Sequence, residues 1–203
     1  MKPVRPKRNR LVPIEKRRDW LLFSGHARMH VWVSGGPIHD PHERVLQLLI
    51  RPWMGDDESW TVYRHQKDAI KGGKLVFKKW NRKADMERFR ALGKKGAPRD
   101  WKTKPNVTER QFSLPGRWVQ QLERSVGTLA VPPIAGPVQP LSRATEYKLS
   151  FWRSRQESEF RWRPTAPRSW RRLADMFECL LLNFRQHAAG KPLTLINELL
   201  LHG

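Results

Sequence analysis

One cysteine, two tyrosines and only 19 acidic side chains against 40 basic ones mark this 203-residue chain by what it is short of. A lone thiol, Cys179, cannot close a disulfide within the chain, which removes the stapled class of small secreted folds. Its place in an apolar helical run, 177–182, reads as a buried structural thiol. Long apolar runs are missing as well. Those at 45–50 and 179–182 are far shorter than the roughly 20 residues that cross a bilayer. The basic N-terminus is not followed by an apolar stretch of signal-peptide length. A soluble protein of the reducing cytoplasm, with no membrane association, is the expectation. No GxGxxG or Walker sequence occurs, and Gly25, Gly35, Gly36, Gly72 and Gly73 read as turns. Nothing points positively to catalysis, and no cofactor is implied.

What is present is charge of one sign. The formal net charge is +21 and the sequence pI about 11.2, far above what a folded domain ordinarily carries. Like charges repel when a chain compacts, so an acidic partner is the simplest compensation. The excess is also segregated. Residues 1–18 hold eight basic and one acidic side chain, residues 64–110 sixteen and five, and residues 143–172 nine and three. The stretches between them are neutral or acidic. Three blocks of this kind predict a basic patch or stripe, and the plainer alternative is a set of solvated arginine faces.

The periodicities predict an α+β fold in which antiparallel meanders and hairpins are each followed by a packed helix. Residues 1–18, with three prolines and no apolar face, read as a flexible basic arm. Residues 19–130 form an α+β region, with a strand expected near 28–33. Strands are expected at 45–53, 59–65 and 74–80, a helix near 84–92 ended by Gly93, a strand at 111–114, and a helix over 115–126 stopped by Gly127. Residues 131–141, rich in proline, form a stiff connector. Residues 142–203, packed with 19–130 as one domain, hold a hairpin of strands 146–152 and 158–163. A helix capped by Ser169 follows, with the apolar stripe Trp170, Leu173, Phe177, Leu180, Leu181 and Phe184. A short helix over 194–201 completes the chain.

Basic residues interleave with aromatics in three places, and the candidate binding residues come from them: Lys78, Lys79, Arg82, Lys83, Trp152, Arg153, Arg161, Arg163, Arg168, Arg171 and Arg172. Cations neutralise phosphates, and exposed aromatic faces stack on unpaired bases. Trp152 is out of phase with Phe151, so if Phe151 is core, Trp152 lies on the charged face as a stacking platform. The alternative is that another segment covers it. Arg171 and Arg172 stand in the first turn of the last long helix, where cations are unfavourable unless an anion binds there. Pairing with Asp175 or Glu178 is the local alternative. His26, His30, His39 and His42, with Asp40 and Glu43, hold the residue types of a metal centre, but their spacing matches no defensible motif and they read as ordinary loop residues. Asp56, Asp57 and Glu58 read as a solvated hairpin tip.

These readings converge on a non-catalytic protein that binds a polyanion, nucleic acid first, with RNA or a single strand favoured because no recognition helix is visible. An interaction module docking on an acidic protein is the alternative, and a metal-dependent nuclease built on residues 26–43 is the third reading. The oligomeric state is not legible.

Overall fold

A computed structural model describes residues 18–32, 42–66, 71–94, 103–128, 144–153 and 156–194. The basic arm up to residue 17, the proline-rich connector and the helix expected beyond residue 194 lie outside them. The first described element departs from expectation. Instead of a strand near 28–33, helix α1 runs Arg18–Trp32, with Gly25 in its interior. Trp20, Phe23, Ala27 and Val31 recur at helical spacing and are buried, while Leu21, Leu22 and Met29 point outward.

Among the described residues six strands follow: β1 (His42–Arg51), β2 (Glu58–His65), β3 (Gly73–Trp80), β4 (Val107–Leu114), β5 (Glu146–Arg153) and β6 (Gln156–Trp162). They form one antiparallel sheet in the order β4-β3-β2-β1-β5-β6. β1 to β4 are a meander, and β5 returns to pair with β1 through Leu48–Leu149 and its neighbours. The described parts of both halves therefore share one sheet and core. Gly73 is fixed by close approach, because a Cβ there would lie 2.1 Å from the Tyr63 carbonyl oxygen.

Among the described residues, four helices cover the two faces. α1 and α2 (Arg82–Lys94) pack on the side carrying Leu49 and Trp80, and their aromatics interlock, with Phe23 and Phe89 ring centroids 4.5 Å apart. α3 (Gly116–Thr128) and α4 (Arg171–Ala188) cover the side carrying Leu48, Trp60, Val62 and Leu149. Each fully buried large side chain contributes about 1.5–3 kcal/mol, so β1, with Leu46 and Leu48 on one side and Leu49 on the other, anchors the sheet, and its buried Gln47 donates to the Trp32 carbonyl and to Thr61. The α4 stripe is buried as its period requires. Its start differs from expectation: Ser169 lies in a 3-10 turn (Arg168–Trp170), and α4 begins after Trp170 with no side-chain cap. Gly93 and Gly127 each lie inside their helices, one residue before the end. β4 starts at Val107, earlier than its apolar residues imply, because its outer edge is solvated.

Candidate anion-binding surface

The acidic residues are few, and the fold engages several of them internally. Asp56, Asp57 and Glu58 are not a solvated tip. Asp56 accepts a hydrogen bond from the Arg82 backbone N–H at 3.0 Å, at the start of α2, and pairs with Lys79 at 3.4 Å. Asp57 is fully buried and bound by Arg28 of α1 at 3.2 Å. Glu58 accepts from the Trp60 indole N–H at 2.6 Å and from Arg185 of α4 at 3.1 Å. Asp56 and Asp57 meet α2 and α1 on one side of the sheet and Glu58 meets α4 on the other, so one turn fastens three helices. Asp85 is likewise occupied, accepting from the Trp80 indole and from the Asn106 backbone N–H, and pairing with Arg88. Arg64 joins Glu43 to Glu123 of α3.

The candidate residues are divided by this arrangement. Lys78 pairs with Glu109 at 3.4 Å and reaches the His30 carbonyl. Lys79 is held by Asp56, and Arg82 donates to the Trp53 carbonyl at 3.0 Å. Lys83 is exposed at the start of α2. Between β3 and β6 lie three strands, so this group stands about 19 Å across the sheet from Arg161. Arg161 and Lys148 both pair with Glu159. Burial pushes the Glu159 carboxyl up, but its hydrogen bonds to Lys148 and Arg161 outweigh that and leave it below its ordinary value. Arg153 closes β5, and Arg163 is half-buried after β6.

Trp152 is not an open stacking platform. It is half-buried, and the Arg44 guanidinium lies over its ring at 4.5 Å from the centroid. A bulge in β1 between Arg44 and Leu46 accompanies this contact. Nearby Ser150, on the same side of β5, is fully buried, so this part of the sheet is covered.

Arg168, Arg171 and Arg172 do come together. They are exposed around an open cleft of about 640 Å³ whose walls include Ser169, Asp175, Glu178 and Cys179. Among the described residues none of these three guanidiniums makes an ion pair or hydrogen bond, so the pairing with Asp175 or Glu178 does not form. Cys179 is half-buried rather than core, and burial, then Asp175 and Glu178, raises its thiol above the ordinary value.

The histidines separate into two pairs. On α1, His26 and His30 face each other with Nε2 atoms 3.2 Å apart, and burial, then His26, Lys78 and Lys104, lowers His30. His42 meets His65 across β1 and β2. His39 and Asp40 lie outside the described residues, among which no group of three or more His, Cys, Asp or Glu is placed to hold a metal ion. No described helix is long and apolar enough to cross a membrane. Sequence reasoning missed Arg44, Arg64 and Glu123, because their partners are set by strand register and leave no local signal. No protein-family model, curated protein or solved structure matches this chain.

Proposed function

We propose that this protein binds a polyanion without a catalytic step, and that its ligand is the phosphate backbone of a nucleic acid. One observation carries the reading: Arg168, Arg171 and Arg172 converge on an open cleft with no ion pair among the described residues, although Asp175 and Glu178 stand in the same walls. Three guanidiniums outnumber the two carboxylates of this cleft, and phosphates bound there gain charge-assisted, bidentate hydrogen bonds. Single strands come first, because a flexible backbone can follow a compact cleft whereas no described helix presents a duplex-reading face.

Anisotropy of a labelled single-stranded RNA, titrated at several salt concentrations, tests this. Three phosphate contacts give a log–log salt slope of about −2 to −3. Replacing Arg168, Arg171 and Arg172 together by Ala removes most of that slope, while Lys78→Ala, whose cation is paired, changes it little. A flat salt response, or an unchanged triple variant, refutes the proposal.

A second reading, docking on a protein, is favoured at a different place. Leu21, Leu22 and Met29 of α1, and Trp53 and Met54 after β1, are large apolar side chains left exposed. Co-purification separates the two. Nuclease-sensitive absorbance supports the first, and a stoichiometric acidic protein retained after nuclease supports the second.

A further inference from the structure

The outward side of α1 is apolar where a chain this charged presents charge elsewhere. By helical period, Arg18, Leu21, Leu22, Gly25 and Met29 fall within about a third of its circumference, opposite the buried Trp20, Phe23, Ala27 and Val31. Leu21, Leu22 and Met29 are 57%, 45% and 52% exposed, and no charged side chain stands between them on this face. Arg28 marks one edge, where it binds Asp57 at 3.2 Å. That contact lays the β1–β2 turn along the same edge, and the turn adds Trp53 and Met54, both exposed. Arg82 fixes the turn by donating to the Trp53 carbonyl. The rim is basic. Arg18 and Lys83 are exposed and in no ion pair among the described residues, while Asp56 and Asp57 already hold Lys79 and Arg28. The single acid of α1, Asp19, falls on the opposite flank, beside His26. Residues 1–17, which lead directly into α1, add seven basic side chains and one acidic one.

We infer that this face docks reversibly on an anionic lipid surface, with α1 lying among the headgroups and Trp53 and Met54 entering beside it. Lying on a bilayer needs an apolar face backed by cations and no spanning segment, so the shortness of the apolar runs does not oppose it. The residue types fit the depth: an indole settles at the headgroup level, and Leu and Met reach the acyl boundary. The shape fits as well, because a helix side and a turn tip protrude, and a fluid bilayer takes up such a surface without a matching groove. Charge decides between occupants. A second copy of a chain carrying +21 is repelled, whereas each Lys or Arg close to an anionic membrane strengthens binding about fivefold. An acidic protein shares the sign but has to supply a complementary apolar surface for five separate side chains. The inference rests on this face and not on the α4 cleft.

Co-sedimentation of the full chain with vesicles of phosphatidylcholine, alone or with about 30% phosphatidylserine, tests it. The parent binds the mixed vesicles at least about tenfold more tightly than the neutral ones. Because a chain of this charge is drawn to any anionic surface, penetration is read separately. Bromine on the acyl chains quenches tryptophan emission, and Trp53→Phe removes most of that quenching. Leu22→Ser with Met29→Ser, both at exposed positions, weakens binding at least about tenfold with no change of charge. Leu182→Ser, comparably exposed on α4, leaves it unchanged. The triple Ala variant of Arg168, Arg171 and Arg172 keeps the acyl-chain quenching, so loss of RNA binding there and loss of penetration here are read independently. Binding that brings no quenching, or that survives the Leu22 and Met29 substitutions intact, is charge attraction alone and overturns the inference. A parent that does not bind mixed vesicles overturns it too. If that parent instead retains a stoichiometric acidic protein that the same two substitutions release, the face belongs to a protein.

Discussion

Arg28→Ala should be among the most damaging single changes at the surface of this protein. The side chain is 21% exposed, yet its partner Asp57 has no exposure, and Asp57 Oδ1 has no hydrogen-bond partner. Burial raises Asp57 above its ordinary value although Arg28, Arg51 and Arg82 pull it down, and burial lowers Arg28 against the pull of Asp57. Both groups are shifted towards neutrality, with burial the largest influence on each, so the pair adds net stability over an apolar contact of the same shape only if its attraction offsets that desolvation. Removing Arg28 is different, because the buried carboxylate loses its hydrogen-bonding partner and keeps only the more distant pull of Arg51 and Arg82. Such changes cost about 3–5 kcal/mol. Protonation sets a ceiling: holding an ordinary aspartate neutral at pH 7 costs about 4 kcal/mol, some three pKa units at about 1.4 each. A loss of about 3–4 kcal/mol follows, which for a chain this long lowers Tm by about 6–16 °C.

The sign of the pH response provides the sharper check. In Arg28→Ala the folded-state pKa of Asp57 rises further above its unfolded value. A carboxyl raised in the folded state loses stability as pH climbs through that window and regains it as pH falls. The gap to the parent should therefore shrink between pH 7 and pH 5, by up to about 1.4 kcal/mol per unit. Asp57→Asn should show no such narrowing, and Arg28→Ala added to it should cost under about 1 kcal/mol more. Paired urea and thermal melts of the parent and three variants measure this. An Arg28→Ala loss below about 0.5 kcal/mol, or a gap that widens in acid, refutes the reasoning.

Two glycines should respond in opposite directions. Gly25 sits inside α1 with nothing within 4 Å of the point where a Cβ would stand, so Gly25→Ala should stabilise by about 0.5–1 kcal/mol in urea melts. Gly73→Ala drives its methyl into the Tyr63 carbonyl and should destabilise by more than about 2 kcal/mol, with slow amide exchange lost first along β2 and β3. Glu159 is lowered in the folded state, so its stabilisation is present above the ordinary glutamate range and disappears as pH falls through the folded value. Glu159→Gln should therefore differ from the parent at pH 7 and converge with it in strong acid, as thermal melts across pH will show.

The amino-acid order by itself determined the elements whose two faces differ sharply. Trp60 and Val62 in β2, Phe160 and Trp162 in β6, and the α4 stripe bury the residues that their periods select. The α+β class follows from those periods, since strands in antiparallel clusters with intervening helices admit few other arrangements. α1 was illegible for the same reason read in reverse: Leu21, Leu22 and Met29 face solvent, and they blur the stripe of Trp20, Phe23, Ala27 and Val31. What only the tertiary structure decided is who meets whom. Arg185 lies 127 residues from Glu58, and Arg64 lies 59 from Glu123, so neither pairing leaves a trace in local spacing. The cover over Trp152, the bulge at Val45 and the isolation of Arg168, Arg171 and Arg172 all follow from register and helix placement. A local period reports which side of an element is apolar, whereas charge partners are chosen by the packing of elements distant along the chain.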